Sequence, residues 1–118
     1  MSPSREAETI RLTVPAQPEF VQVVRVAVRV VSGRAGCSDD ARSRLQAAVG
    51  AAFFEVVDRV DGSSHVATKL VVEPERIVIE LTAEPRSLAL DPTSVAGLAD
   101  GHELADDGRT LCLWIAAT

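Results

Sequence analysis

The sequence predicts an α+β domain of two layers, in which helices pack on one face of a mixed β-sheet. Two long segments carry apolar residues at helical spacing, and five shorter ones alternate apolar with polar residues or are rich in β-branched ones. The segments follow the order β, α, α, β, β, α, β, β, which suits helices gathered on one side of a sheet. A chain of 118 residues can build one such core. We expect a single domain over residues 8–118, preceded by a disordered leader of residues 1–7.

The predicted strands are short and bounded by turn residues. Pro15 ends the first strand, because proline cannot donate to a ladder of hydrogen bonds. The last two strands form a hairpin around the Asp-Gly pair at 107–108, and a short helix begins near Thr93. In chain order, the predicted strands cover residues 9–14, 65–72, 76–82, 103–105 and 110–116.

The first helix is predicted from its polar residues. The stretch VQVVRVAVRVVS is rich in β-branched residues and could pass for a strand. Its polar residues are spaced three, four and three apart, which places them on one side of a helix. These residues are Gln22, Arg25, Arg29 and Ser32. We predict a helix that begins near Pro18 and is ended by Gly33 and Gly36.

The second helix contains the stretch RLQAAVGAAFFEVVDRV, residues 44–60. Ser38 supplies an N-cap, and the acidic residues after it suit the positive end of the helix dipole. Apolar residues recur along it at helical spacing, so we expect broad burial. Glu55 and Arg59 are four residues apart, which predicts an exposed ion pair along the helix.

Charge and composition exclude several classes of function. Twelve basic and seventeen acidic residues give a net charge of −5, which argues against nonspecific binding of nucleic acid or of anionic membranes. We find no signal peptide or membrane span. Cys37 and Cys112 lack metal-ligand spacing, and His65 and His102 have no second ligand nearby, so we expect reduced thiols in the cytoplasm and no metal site. The remaining candidates for binding are a protein partner and a small ligand.

Two stretches of the chain resemble a known family. LTVPAQPEFVQVVRVAV is similar to the opening strand, Pro-Ala turn and Arg-bearing first helix of the anti-sigma factor serine-protein kinases. HELADDGRTLCLWI, which follows GLAD, is similar to the C-terminal end of that family. These kinases are small bacterial members of the histidine-kinase-like ATPase superfamily, with the GHKL or Bergerat fold. The resemblance covers nearly all of the chain.

The resemblance implies an ATP site whose motifs have degenerated. The family's Glu-x-x-x-Asn motif, which supplies a general base and a Mg²⁺ ligand, falls on Ala47 and Ala51, and neither methyl group can do either task. The family's Asp-x-Gly-x-Gly motif, which reads adenine, falls on Ala83, Pro85 and Ser87. The glycine-rich lid is shortened as well. We therefore expect that Mg²⁺ and ATP are not bound and that the second helix packs there as ordinary core.

The last predicted strand has apolar residues on both faces, which is relevant to whether the protein forms a dimer. Alternation places Cys112, Trp114 and Ala116 on one face and Leu111, Leu113 and Ile115 on the other, so both faces are apolar. We expect Trp114 in the core, with the sheet either covered on both sides or serving as an interface on one. Since members of the resembled family dimerise, a homodimer is possible.

Three hypotheses about function remain. The first is a regulatory protein-binding module that resembles an anti-sigma factor, has lost ATP binding and kinase activity, and binds a sigma factor or a STAS-type anti-anti-sigma factor. Its contact residues would be Gln22, Arg25 and Arg29, although an ordinary solvated face also explains them. The second is an anti-sigma factor serine kinase that still binds ATP and Mg²⁺ and phosphorylates an anti-anti-sigma antagonist. The third is a module that binds another small ligand in the former ATP cavity.

Overall fold

The computed structural model describes residues 8–60, 63–84, 90–105 and 109–118. The predicted leader, residues 1–7, lies outside them. The strands are β1 (Glu8–Pro15), β2 (His65–Val72), β3 (Arg76–Glu84), β4 (Gly101–Leu104) and β5 (Thr110–Ala116). The α-helices are α1 (Val21–Arg34), α2 (Asp39–Arg59) and α3 (Thr93–Ala96), and a single 3-10 turn (Pro18–Phe20) leads into α1.

The predicted order of elements is confirmed, and so are most of their bounds. Ser38 caps α2, because its Oγ accepts a hydrogen bond of 3.1 Å from the backbone N–H of Ala41. Gly36 follows α1 with a φ of 76°, a left-handed conformation that glycine adopts without strain. Gly33 lies inside α1 rather than ending it.

The sheet has the strand order β1-β2-β3-β5-β4, and each neighbouring pair in the described residues is antiparallel. The α+β class with helices on one face is confirmed, but the sheet is antiparallel where a mixed one was expected. The reason lies in the helix pair between β1 and β2. One helix runs back along the sheet and the other returns, so the chain enters β2 from the end at which β1 finished.

The core lies between the helices and one face of the sheet. Leu70, Ile79 and Leu113 stand side by side on β2, β3 and β5, and all three are fully buried. Leu45 and Phe53 of α2 are fully buried against the same layer. Burying such side chains is the dominant stabilising contribution to a fold of this size.

The opposite face of the sheet is open, and it carries Trp114. The prediction of Trp114 as core is wrong, because its neighbours Leu113 and Ile115 take the buried positions and alternation turns the indole outward. The indole is partly exposed, and the Arg76 guanidinium lies 5.3 Å from its ring centroid. Gly101 on β4 is paired with Trp114, and a side chain at this glycine would collide with the ring.

None of the helices in the described ranges combines the length and the apolar character needed to cross a bilayer. Within the same ranges, no group of three or more His, Cys, Asp or Glu side chains could hold a metal ion.

Candidate functional site

One side of α2 presents the positions that the resemblance assigns to the ATP site. Arg44, Ala47, Ala51 and Glu55 follow one another at spacings of three and four residues, which places them on the same side of the helix. We call these four residues the α2 flank. Ala47 is exposed, and Ala51 is partly buried against the core. The expectation of ordinary core packing is therefore wrong for Ala47, because the flank turns away from the sheet.

The segment 90–100 covers the α2 flank at its N-terminal end through Asp100. The Arg44 Nη2 lies 2.7 Å from Asp100 Oδ1, and the same nitrogen donates to the Leu98 carbonyl oxygen at 3.4 Å. The second Asp100 oxygen accepts a hydrogen bond of 2.6 Å from the backbone N–H of Ala116. This backbone N–H, followed by the Arg44 guanidinium, holds the pKa of Asp100 below its usual value. Asp100 therefore ties α2, the segment and β5 together.

Glu55 fixes the other end of the segment. Its Oε2 accepts a hydrogen bond of 2.7 Å from the backbone N–H of Asp91 and lies 3.2 Å from Arg59 Nε. The predicted Glu55–Arg59 ion pair is confirmed, but the Glu55 side chain is only 12% exposed, since the segment lies against it. Asp91 accepts hydrogen bonds from the hydroxyl and then the N–H of Thr93, and these lower the pKa of Asp91.

Between these two anchors the segment is held by apolar packing. Leu90 and Val95 are buried in the core, and Leu98 and Ala99 pack against it. The α2 flank is thus bound to residues of the same chain at its two charged ends, and between them lie two alanines, of which one is exposed and the other partly buried. Ala47 and Ala51 are the only flank residues between the anchors, and a methyl group offers no oxygen or nitrogen to a Mg²⁺ ion.

Ala83 lies on β3 and is fully buried. It pairs with Val66 on β2, and its N–H donates to the Arg109 carbonyl oxygen at 2.9 Å. Its side chain cannot accept a hydrogen bond from an adenine amino group. Pro85 and Ser87 lie outside the described residues. The three described positions, Ala47, Ala51 and Ala83, therefore do not fit an ATP and Mg²⁺ site of the family's kind.

The residues predicted for partner contacts lie on one side of α1 but differ in exposure. Gln22 and Arg29 are exposed. Arg25 is partly buried beside α2, because Gly50 leaves room for its guanidinium: a Cβ at Gly50 would lie 2.4 Å from Arg25 Nη2. Ser32, which shares their spacing, is buried and donates to the Arg29 carbonyl oxygen at 3.2 Å. The predicted polar face is therefore largely the side that faces α2.

Sequence reasoning missed three valines of α1 and one arginine of α2. Three valines of α1 are exposed, namely Val23, Val26 and Val30. Arg42 of α2 reaches across to α1, where its Nη2 donates to the Arg29 carbonyl oxygen at 3.5 Å. It also lies close to Gly33, at which a Cβ would be 3.2 Å away. The signal available in the sequence was the spacing of three and four between the valines.

The layer of helices over an antiparallel sheet, in this order of elements, defines a two-layer α+β domain with the fold of RsbW-type domains. A solved structure supports this: the RsbU and RsbW domains of a Mycobacterium tuberculosis protein match 92% of this chain and 31% of that one, with a TM-score of 0.70. The sequence identity is 10%, so this likeness concerns the fold.

A sequence relationship identifies the group more narrowly. The chain is 33% identical over 87 residues to the serine-protein kinase RsbW of Halalkalibacterium halodurans, and the match covers 73% of this chain. The predicted resemblance is confirmed: the chain is homologous to the RsbW-type anti-sigma factor serine-protein kinases. It spans 54% of the length of that relative. No protein-family model matches the sequence.

Proposed function

We propose that this protein is a regulatory binding module of bacterial sigma-factor control, acting in the cytoplasm as a single domain from residue 8 to residue 118. It binds a sigma factor or a STAS-type anti-anti-sigma factor by protein contacts, and it has lost ATP binding and kinase activity. The homology to an RsbW kinase supports the regulatory setting. The observation that supports the loss of activity is the α2 flank, where alanine occupies both motif positions while Arg44 and Glu55, at either end, are bound to the chain's own segment 90–100.

Phosphoryl transfer depends on placing Mg²⁺ and positive charge around the transferred group. The α2 flank has a guanidinium and a carboxylate, but both are already bound within the chain: Arg44 to Asp100, and Glu55 to Arg59 and the Asp91 N–H. A nucleotide at this side of α2 would have to displace these contacts. The flank is therefore suited to holding the segment in place rather than to binding a ligand.

The alternative function is an ATP-binding anti-sigma factor kinase that phosphorylates an anti-anti-sigma antagonist. The name of the Halalkalibacterium relative, a serine-protein kinase, is the observation that favours it. This alternative requires the catalytic groups to come from positions other than Ala47, Ala51 and Ala83. A homodimer is compatible with either function, because α1 exposes apolar side chains.

The test uses purified protein and the sigma factors and STAS-domain proteins of the same genome. Complexes are measured by size-exclusion chromatography with light scattering, with and without Mg-ATP, and phosphate transfer is followed by intact-mass spectrometry. We expect a complex with at least one of these proteins, with an affinity independent of Mg-ATP and no added phosphate. Absence of every complex would refute the binding function, while transfer to a STAS protein would establish the kinase.

A further inference from the structure

The outer side of α1 carries an apolar strip that nothing in the described residues covers. Val23, Val26 and Val30 are 46%, 42% and 53% exposed, respectively. Their spacing of three and four residues places them in one row along the helix. We call them the valine strip. A single exposed valine is ordinary, but a row of three on one helix is the arrangement by which helices bind each other.

Beside the strip, three arginines form what we call the arginine seam: Arg25, Arg29 and Arg42. Arg25 of α1 lies over Gly50 of α2, and Arg42 of α2 lies near Gly33 of α1. Each helix therefore has a glycine that leaves room for a guanidinium group of the other. In the part of the chain that the structure describes, none of the three makes an ion pair. The Arg42 Nε is buried without a hydrogen-bond partner.

The charge of α1 decides between two kinds of occupant. The helix contains Arg25, Arg29 and Arg34 and no acidic residue, in a protein whose net charge is −5, and of these arginines Arg34 pairs with Glu8 of β1 at 3.7 Å. A second copy packed helix against helix would bring two such basic surfaces together, which is unfavourable. A partner with carboxylates would instead find positive charge concentrated on this side of a negative molecule. The complementary occupant is therefore acidic.

We propose that the outer side of α1 binds an acidic amphipathic helix of a partner protein. The apolar side of that helix lies on the valine strip, and its carboxylates lie along the arginine seam. The proposal deepens the proposed function and rests on it, since it names the chemistry of the partner surface. It also moves the centre of the contact from Gln22, Arg25 and Arg29 to the valines, with the arginines at the edge.

The experiment uses two synthetic helical peptides of about five turns each. Both carry leucines at positions i, i+3, i+4 and i+7; one has glutamates beside the leucines and the other has lysines. Binding to the purified protein is measured by fluorescence anisotropy at several salt concentrations, and the site is located by amide chemical shifts. We expect the glutamate peptide to bind at least about tenfold more tightly than the lysine peptide and to shift the amides of α1.

Two variants examine the valine strip and the arginine seam separately. Val26→Lys removes the centre of the strip and adds a positive charge, so a weaker complex cannot be attributed to lost attraction for acid. We expect it to lower the affinity for the glutamate peptide by about tenfold or more. Arg42→Gln should lower the affinity severalfold and reduce its dependence on salt. Thr13→Lys, on the exposed outer face of β1, is the control and should leave the affinity unchanged.

Three results would overturn the proposal. Equal affinity for the two peptides would refute the preference for an acidic partner. An unchanged affinity of Val26→Lys for the glutamate peptide, with an unchanged thermal melt, would show that the valine strip is not part of the binding surface. A dimer that Val26→Lys dissociates would assign this side of α1 to a second copy. If the glutamate peptide binds α1 but no sigma-control protein does, the docking surface is supported and the proposed function is refuted. If a sigma-control protein binds and Val26→Lys does not weaken that complex, the proposed function is supported and the docking surface is refuted.

Discussion

The outer side of α1 and the α2 flank differ in what the chain does with them. On α2, the side that would face a nucleotide in the resembled family is bound to segment 90–100 at two points, where Arg44 contacts Asp100 and Glu55 accepts a hydrogen bond from the Asp91 N–H. On α1, three valines are left exposed, and Arg25 and Arg29 make no ion pair with any residue that the structure describes. Two adjacent helices of one small domain therefore differ: the α2 flank contacts other residues of the same chain, whereas the outer side of α1 is exposed to solvent.

The difference concerns what each of the two surfaces contributes to folding. Segment 90–100 adds a buried valine and several hydrogen bonds beside the α2 flank, so these contacts contribute to the stability of the fold. An apolar row left in water contributes nothing to folding and favours association. Substitutions of the same kind on the two surfaces should consequently have different effects.

The largest expected difference is between Val95→Ala and Val30→Ala, which remove the same atoms. Val95 in α3 is fully buried, so its truncation leaves a cavity and should lower the free energy of unfolding by about 2 kcal/mol. Val30 is 53% exposed, and its truncation should change stability by less than about 0.5 kcal/mol. Urea unfolding measures both. Equal losses would mean that the outer side of α1 is covered in solution.

A smaller effect is expected when Asp100 is replaced by asparagine. The variant loses its charge-assisted bonds to the Ala116 N–H and to Arg44, which should cost about 1 kcal/mol at neutral pH, given partial exposure. Because folding lowers the pKa of Asp100, its contribution is present above the unfolded pKa of about 4 and is lost as the pH falls through the folded pKa.

The stability difference between Asp100→Asn and the natural protein should thus shrink as the pH is lowered below about 4. Asp58→Asn provides the control, since Asp58 is exposed and makes no ion pair among the described residues. Its effect should be small at neutral pH. A difference for Asp100→Asn that is unchanged down to acidic pH would contradict the anchoring role of the carboxylate.

The smallest effect is expected for Gly50→Ala in the α1–α2 contact. A Cβ there would meet only the end of the Arg25 side chain, which can swing away, and alanine favours a helix by about 1 kcal/mol over glycine. We expect a change within about 1 kcal/mol, with more exposure of Arg25. A larger loss, seen by thermal melting, would show that the guanidinium is a fixed part of the helix contact.

The fold could be predicted because it depends on local patterns. Residue periodicity fixed helix and strand, and the Ser38 cap marked the start of α2. The polar side of α1 was misjudged, since periodicity groups Arg25 with Ser32 but does not tell which neighbouring element faces them. Nor could the Arg44–Asp100 pair be predicted, because its partners are 56 residues apart and meet only after β5 is in place.

The central claim is our proposal that this protein has lost ATP binding and acts through protein contacts. A thermal melt with and without millimolar Mg-ATP tests it most directly, with the RsbW kinase of Halalkalibacterium halodurans as a positive control. A ligand that binds only the folded state raises the melting temperature by mass action. We predict no shift for this protein. A shift of several degrees would contradict the account and return the kinase alternative to first place.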